Sequence, residues 1–213
     1  MSAYFADVAT LAGKDLRLEL RVRSIVPAML LFVVAALVVF HFALPSGSSD
    51  LAAKGMLWVA IIFTALLGLT RAFVAEREQG LLDALVLSPC DRAAIWIGKA
   101  LAVLAFLLAA EVVALPAYAL FFTGLSAEAV AGVLLANIGI CAVGTLVAAM
   151  AVAGRARELL LPLLFLPLAI PIVVGGVGAT VGDDPARSLG FLALYDAIFA
   201  ILCFASFEYV VTE

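Results

Sequence analysis

Three polar side chains stand inside long apolar runs, where each must find a partner or a proton: Glu111, Asn137 and Asp196. A carboxylate at the depth of Glu111 costs about 2.5–3.5 kcal/mol on insertion scales unless it is paired or protonated. Glu111 is therefore an intramembrane functional candidate, facing a bundle interior, a cavity or a partner subunit. The alternative is a hydrogen-bonded structural acid. Asn137 and Asp196 can bond across helices, and a structural role is expected of both. His41, the only histidine, lies near the outer end of the first apolar run. A lone imidazole there could ligate a haem iron, but the sequence positions no second ligand. Cys90, Cys141 and Cys203 are far apart and form no CxxC or CxxCH motif, which indicates neither a disulfide framework nor a metal site. The sequence contains no GxxxxGK[ST] phosphate loop, no HExxH and no GxSxG, so no catalytic residues are assigned. Energised work by this chain must draw on a partner.

The stretch from Glu76 to Lys99 is the one long polar interruption. Glu76, Arg77, Glu78 and Gln79 precede Gly80 and a short apolar run that includes Leu82 and Leu85. Ser88-Pro89 ends that run, because proline lacks an N–H and pushes its predecessor out of the helical region. Asp91 is then placed to cap a new helix that contains Arg92. The pattern predicts a short amphipathic helix, a sharp turn and a helix start at a membrane surface. Its apolar side chains need a cover, either the lipid headgroup region or a partner protein.

These residues must be positioned by membrane helices. Of 213 residues, 67% are hydrophobic and 13% charged, and a soluble domain of that composition could not cover its own surface. A spanning helix needs roughly 20 apolar residues, and six runs qualify: about 25–44, 55–74, 100–122, 129–153, 159–180 and 189–211. They fill the chain, so a single transmembrane domain over 1–213 is expected. Residues 1–24 form an interfacial N-terminal helix in this reading. Phe5, Ala9, Ala12, Leu16 and Leu20 make its apolar stripe, and Lys14, Arg17 and Arg21 its basic one. This leader is too charged for a cleavable signal peptide.

Lys14, Arg17, Arg21, Arg23, Arg71, Arg77, Arg92, Lys99, Arg155 and Arg157 fall on one side of such a bundle, and only Lys54 and Arg187 on the other. The positive-inside rule then places both termini and the central stretch in the cytoplasm. The fifth run carries Pro162, Pro167 and Pro171, followed by Gly175, Gly176 and Gly178. Each proline frees a carbonyl that hydrocarbon cannot satisfy, which suggests a bend, a hinge at the prolines, or close helix contact through the glycines. No basic surface suits nucleic acid.

The E-x-E-x-G-x-L-x-x-L-x-L-S-P pattern (Glu76, Glu78, Gly80, Leu82, Leu85, Leu87, Ser88, Pro89), with Arg92 and Lys99 downstream, resembles the coupling region of ABC exporter permeases. The D-L-R-L-E-L-R leader at 15–21 and the L-L-L-P-x-x-x-L-P-L-x-I-P run at 159–171 narrow the resemblance to the CcmB family, permeases of the cytochrome c maturation haem exporter. The resemblance implies an all-α integral membrane protein of six spans, without catalysis of its own, in a bacterial inner membrane. It further implies a cytoplasmic ATPase subunit (CcmA-like) that binds ATP, with the coupling stretch docked on it. A haem-handling membrane subunit (CcmC-like), a small membrane subunit (CcmD-like) and, indirectly, a periplasmic haem chaperone would complete the system. Haem would be handled by the complex, with no cofactor assigned to this chain. A permease of another six-helix ABC exporter, carrying a lipid, a drug or a copper-related cargo, is the alternative. An intramembrane protease would need partners that His41 and Asp196 lack.

Overall fold

The computed structural model describes residues 2–44, 50–73, 91–122, 124–153 and 157–212. Those residues form seven helices: α1 (Ser2–Val22), α2 (Ile25–Ala43), α3 (Asp50–Arg71), α4 (Arg92–Phe121), α5 (Ala127–Ala153), α6 (Arg157–Val181) and α7 (Pro185–Thr212). α2 to α7 are each long and apolar enough to cross a bilayer, and the chain is an all-α integral membrane protein. Five of the six spans start earlier than their apolar runs predict, α3 and α4 by the most. α3 begins at Asp50 and α4 at Arg92, because helical backbone continues past the edge of the hydrophobic run wherever caps and helix-forming residues allow it. The first two turns of α4 thus take in the end of the stretch read as a coupling segment, including Lys99. The rest of that stretch, with Glu76, Glu78, Gly80, Leu82, Leu85, Ser88 and Pro89, lies outside the described residues.

Local chemistry fixes the helix starts. The Asp91 carboxylate accepts from Ala93 N at 2.9 Å, the cap that the sequence predicts. Ser126 Oγ accepts from Ala129 N at 3.2 Å and so caps α5. Asp184 Oδ1 accepts from Arg187 N at 3.1 Å ahead of α7, whose first residue is Pro185, a position where no N–H is missed. The start of α2 is unusual. Ser24 makes no side-chain cap bond. Instead Glu19 Oε1 accepts from both Ile25 N and Val26 N at 2.9 Å. Arg23, at φ 53°, turns the chain between the two helices in the left-handed region.

α5 is the centre of the bundle. Its alanines and glycines let neighbouring backbones approach closely, the usual basis of helix association where lipid removes the hydrophobic drive. α6 and α7 pack along it and α4 lies on another side; α2 packs on α3 and α4, and α3 reaches α6. The α3–α6 contact depends on a missing side chain. A Cβ on Gly176 would stand 2.2 Å from the indole of Trp58, which is fully buried and donates from Nε1 to Thr180 Oγ1 at 3.2 Å. α6 runs as one helix through Pro162, Pro167 and Pro171, and the Tyr195 hydroxyl of α7 donates to the Leu168 carbonyl beside them at 2.7 Å. Close helix contact through the glycines is therefore the feature seen in α6.

Large apolar side chains point outward along the spans, among them Leu31, Val112, Leu120 and Ile201. In a soluble protein this would be a liability. Here they face hydrocarbon.

Candidate functional site

Two polar arrangements interrupt the apolar packing, one at the end of the bundle where α3 stops and α4 starts, the other near mid-depth. The first centres on Lys99, in the second turn of α4 and only 4% exposed. Its ammonium donates to Asp15 Oδ2 of α1 at 2.8 Å and to the Ala72 carbonyl just past α3 at 2.8 Å. It also lies 5.0 Å from the centroid of the Phe73 ring. One cation therefore ties α1, the end of α3 and the start of α4 together. Phe73 and Asp91 are the described residues flanking the 74–90 stretch, so the node holds the chain on both sides of it. Arg92 is the first residue of α4.

α1 is seated on α4 by shape as well as charge. A Cβ on Gly98 would stand 2.8 Å from Leu11 Cβ and 3.4 Å from the Val8 carbonyl. The seated face differs from the predicted stripe. Val8, Ala12 and Glu19 are buried, and Leu11 and Leu16 pack partly against the core. Phe5, Ala9 and Leu20 are exposed. The buried face is rotated to one side of that stripe, and the polar Asp15 and Glu19 belong to it because each has a partner there. The basic stripe of Lys14, Arg17 and Arg21 is exposed as expected. Tyr4, near the start of α1, has its hydroxyl pKa pushed up, first by burial and then by the charge of Asp91.

The second arrangement joins two of the polar residues singled out in the sequence. Asn137 Nδ2 of α5 donates to Glu111 Oε2 of α4 at 2.7 Å, both side chains buried. Glu111 Oε1 and Asn137 Oδ1 have no hydrogen-bond partner among the described residues. Glu111 also lines a cavity of about 10 Å³ with Thr64, Val33, Ile61, Leu107 and Ala114, roughly the space one water needs. Asp196 of α7 is buried on another side of α5. Its Oδ1 occupies the room left by Gly139, where a Cβ would be only 2.5 Å away. Neither of its oxygens has a partner among the described residues.

The three share one depth. Glu111 lies ten residues before the end of α4, Asn137 ten after the start of α5 and Asp196 eleven after the start of α7. At 1.5 Å per residue each is about 15–16 Å from the same face of the bundle. Counting from the loop ends would have exposed this layer from sequence. Nothing in the sequence pointed to Lys99 as a hub, since it read only as one more basic residue near the membrane surface.

Among the described residues no group of three or more His, Cys, Asp or Glu side chains could hold a metal ion. A buried charge anchors the surface end, and a continuous helix leads to a buried acid–amide contact.

Known proteins resemble this chain over nearly its whole length. The family model described as CcmB protein matches residues 6–211. The heme exporter protein B of Paracoccus denitrificans is 34% identical over 197 residues, covering 84% of this chain and 87% of the relative. Its counterpart in Bradyrhizobium diazoefficiens is 32% identical over 204 residues, covering 92% and 88%. That of Rhodobacter capsulatus is 33% identical over 177 residues, covering 78% of each.

Proposed function

The chain belongs to the CcmB family, and we infer from that premise that it is the membrane permease subunit of a haem export system serving cytochrome c maturation. The observation that carries this is the family match over residues 6–211 on a chain with six membrane-spanning helices. The chain is a transport component, and its energy comes from ATP hydrolysed on a separate cytoplasmic ATPase subunit. A haem-handling membrane subunit, a small membrane subunit and a periplasmic chaperone act with it. The bundle sits in a bacterial inner membrane as one domain. The Lys99 end faces the cytoplasm, as the ten-to-two division of basic residues favours.

Docking of the ATPase falls on the 76–99 stretch, through Glu76, Glu78, Gly80, Leu82, Leu85, Ser88, Pro89 and Arg92. The Lys99 node supports this reading, because it braces the flanks of that stretch against α1 and α3. A push on the stretch meets a buried ion pair rather than a loose loop, and α4 carries it toward Glu111 and Asn137. Pro162, Pro167 and Pro171 give α6 the freedom to bend as α4 and α5 shift, since each removes one i→i−4 bond.

Capture of the chain from its native membrane in mild detergent, with mass spectrometry of what accompanies it, tests this reading. Recovery of a Walker-motif ATPase together with a haem-binding membrane subunit is expected. An ATPase without any haem-handling partner would reassign the cargo, and no ATPase at all would overturn the permease reading.

A further inference from the structure

At the end of the bundle opposite Lys99, the outer end in the reading above, the single histidine sits among aromatic rings drawn from two helices. The His41 imidazole, two residues before the end of α2, lies 5.4 Å from the Phe42 ring, 5.4 Å from Phe121 and 5.7 Å from Phe122, centroid to centroid. Phe122 in turn stacks on Tyr118 at 5.0 Å. His41 is exposed, and Phe42 is 82% exposed. His41 makes no hydrogen bond or ion pair among the described residues. Rings at a membrane edge are ordinary, because aromatic side chains favour that zone. An imidazole whose nitrogens have no partner among the described residues is not explained by that preference. Lys54, one turn into α3 on the other arm of the same hairpin, is one of only two basic residues on this side.

We propose that this end of the α2–α3 hairpin, with the end of α4, is a contact site for an iron porphyrin, with His41 as an axial ligand to the iron. The site offers three chemistries that such a molecule displays together. An imidazole nitrogen ligates the iron, and a single histidine suffices for five-coordinate haem. The phenyl rings of Phe42, Phe121 and Phe122 cover an apolar macrocycle. The Lys54 ammonium pairs with a propionate at the water boundary. A lipid tail would use the rings but neither the imidazole nor the cation. The proposal rests on the haem reading of the cargo and assigns haem a place on this subunit.

The test is a titration of the purified full-length chain in detergent with hemin, read by its visible spectrum. Wild type is expected to shift the Soret band to that of an imidazole-ligated haem. His41→Ala should lose the shift and weaken binding at least about tenfold, that is by about 1.4 kcal/mol. His41→Gly should recover the spectrum when free imidazole is added, which a misfolded variant would not do. Lys54→Gln should weaken binding without changing the spectrum. An unchanged spectrum in His41→Ala, or failure of imidazole to restore His41→Gly, overturns the proposal. Cytochrome c assembly by the intact complex is scored separately. Assembly that needs this chain, with no ligation at His41, would leave the haem reading standing and remove only this site. Ligation that depends on His41, with assembly independent of the chain, would leave the site standing and remove the haem reading.

Discussion

Lys99→Met is the most informative single change, because it removes one partner of a buried ion pair while keeping the aliphatic stem. The variant leaves the Asp15 carboxylate, with a side chain only 11% exposed, without the cation now 2.8 Å away. It also leaves the Ala72 carbonyl without that donor and removes the charge facing the Phe73 ring. Breaking a buried pair from one side costs about 3–5 kcal/mol, most of it the unpaired charge left behind. The lost bond to Ala72 adds about 1 kcal/mol and the cation–π contact about 0.5–1 kcal/mol, with overlap between them. Lys14 lies 3.4 Å from the other Asp15 oxygen and blunts the penalty, though it is itself half exposed. A net loss of about 3 kcal/mol follows for Lys99→Met. Asp15→Asn should lose about as much, and the double variant Asp15→Asn/Lys99→Met should regain about 1–2 kcal/mol relative to the sum, since residues in direct contact couple on that scale. Equilibrium unfolding of the four proteins in one detergent gives the cycle. Strict additivity, or a single-variant loss below about 0.5 kcal/mol, the size expected of an unremarkable surface position, would mean that the node is not an energetic anchor.

Glu111→Gln should keep the bundle intact, because an amide oxygen can still accept from Asn137, yet lower cytochrome c assembly by the complex. Normal assembly at normal expression would show that the acid does no work. Gly176→Leu should destabilise the α3–α6 contact by about 1–3 kcal/mol, the usual range for overpacking, because a branched side chain would meet the Trp58 indole; an unaltered unfolding midpoint would contradict that packing. Leu85→Asp should abolish capture of the ATPase subunit while leaving the chain in the membrane fraction. If the ATPase is still captured and the chain is instead lost from the membrane, this face touches lipid rather than a partner.

The parts of the fold that were legible in the sequence are those set by the solvent. Six apolar runs predict six spans, and the Asp91 cap follows from Ser88-Pro89 ending one segment just before another begins. The glycines after the α6 prolines mark close contact, and Trp58 and Leu192 are the side chains that use it. Less legible was everything in which a polar residue is buried by a partner distant in sequence. Glu19 looks like an error in an amphipathic stripe, but its carboxylate holds the first turn of α2. Asp15 and Lys99 are 84 positions apart and carry ordinary surface composition. Periodicity treats such residues as solvent-facing because it weighs the transfer of a side chain alone, and the partner that offsets the transfer is invisible until the helices are placed.

That same physics explains why α4 carries both arrangements. Apolar contact in a bilayer gives little preference for one rotation or depth of a helix, since lipid tails are as apolar as leucine. Directed polar bonds supply the preference. Lys99 and Glu111 are twelve residues apart on one continuous helix, about 18 Å along its axis, and they bond to different neighbours, α1 and α3 for the first and α5 for the second. Sliding α4 by one turn, about 5.4 Å, would break both sets at once and leave an ammonium and a carboxyl buried without partners. Slippage of α4 is therefore opposed at both levels. α4 is thus the helix whose depth and rotation are fixed by buried polar bonds at two levels.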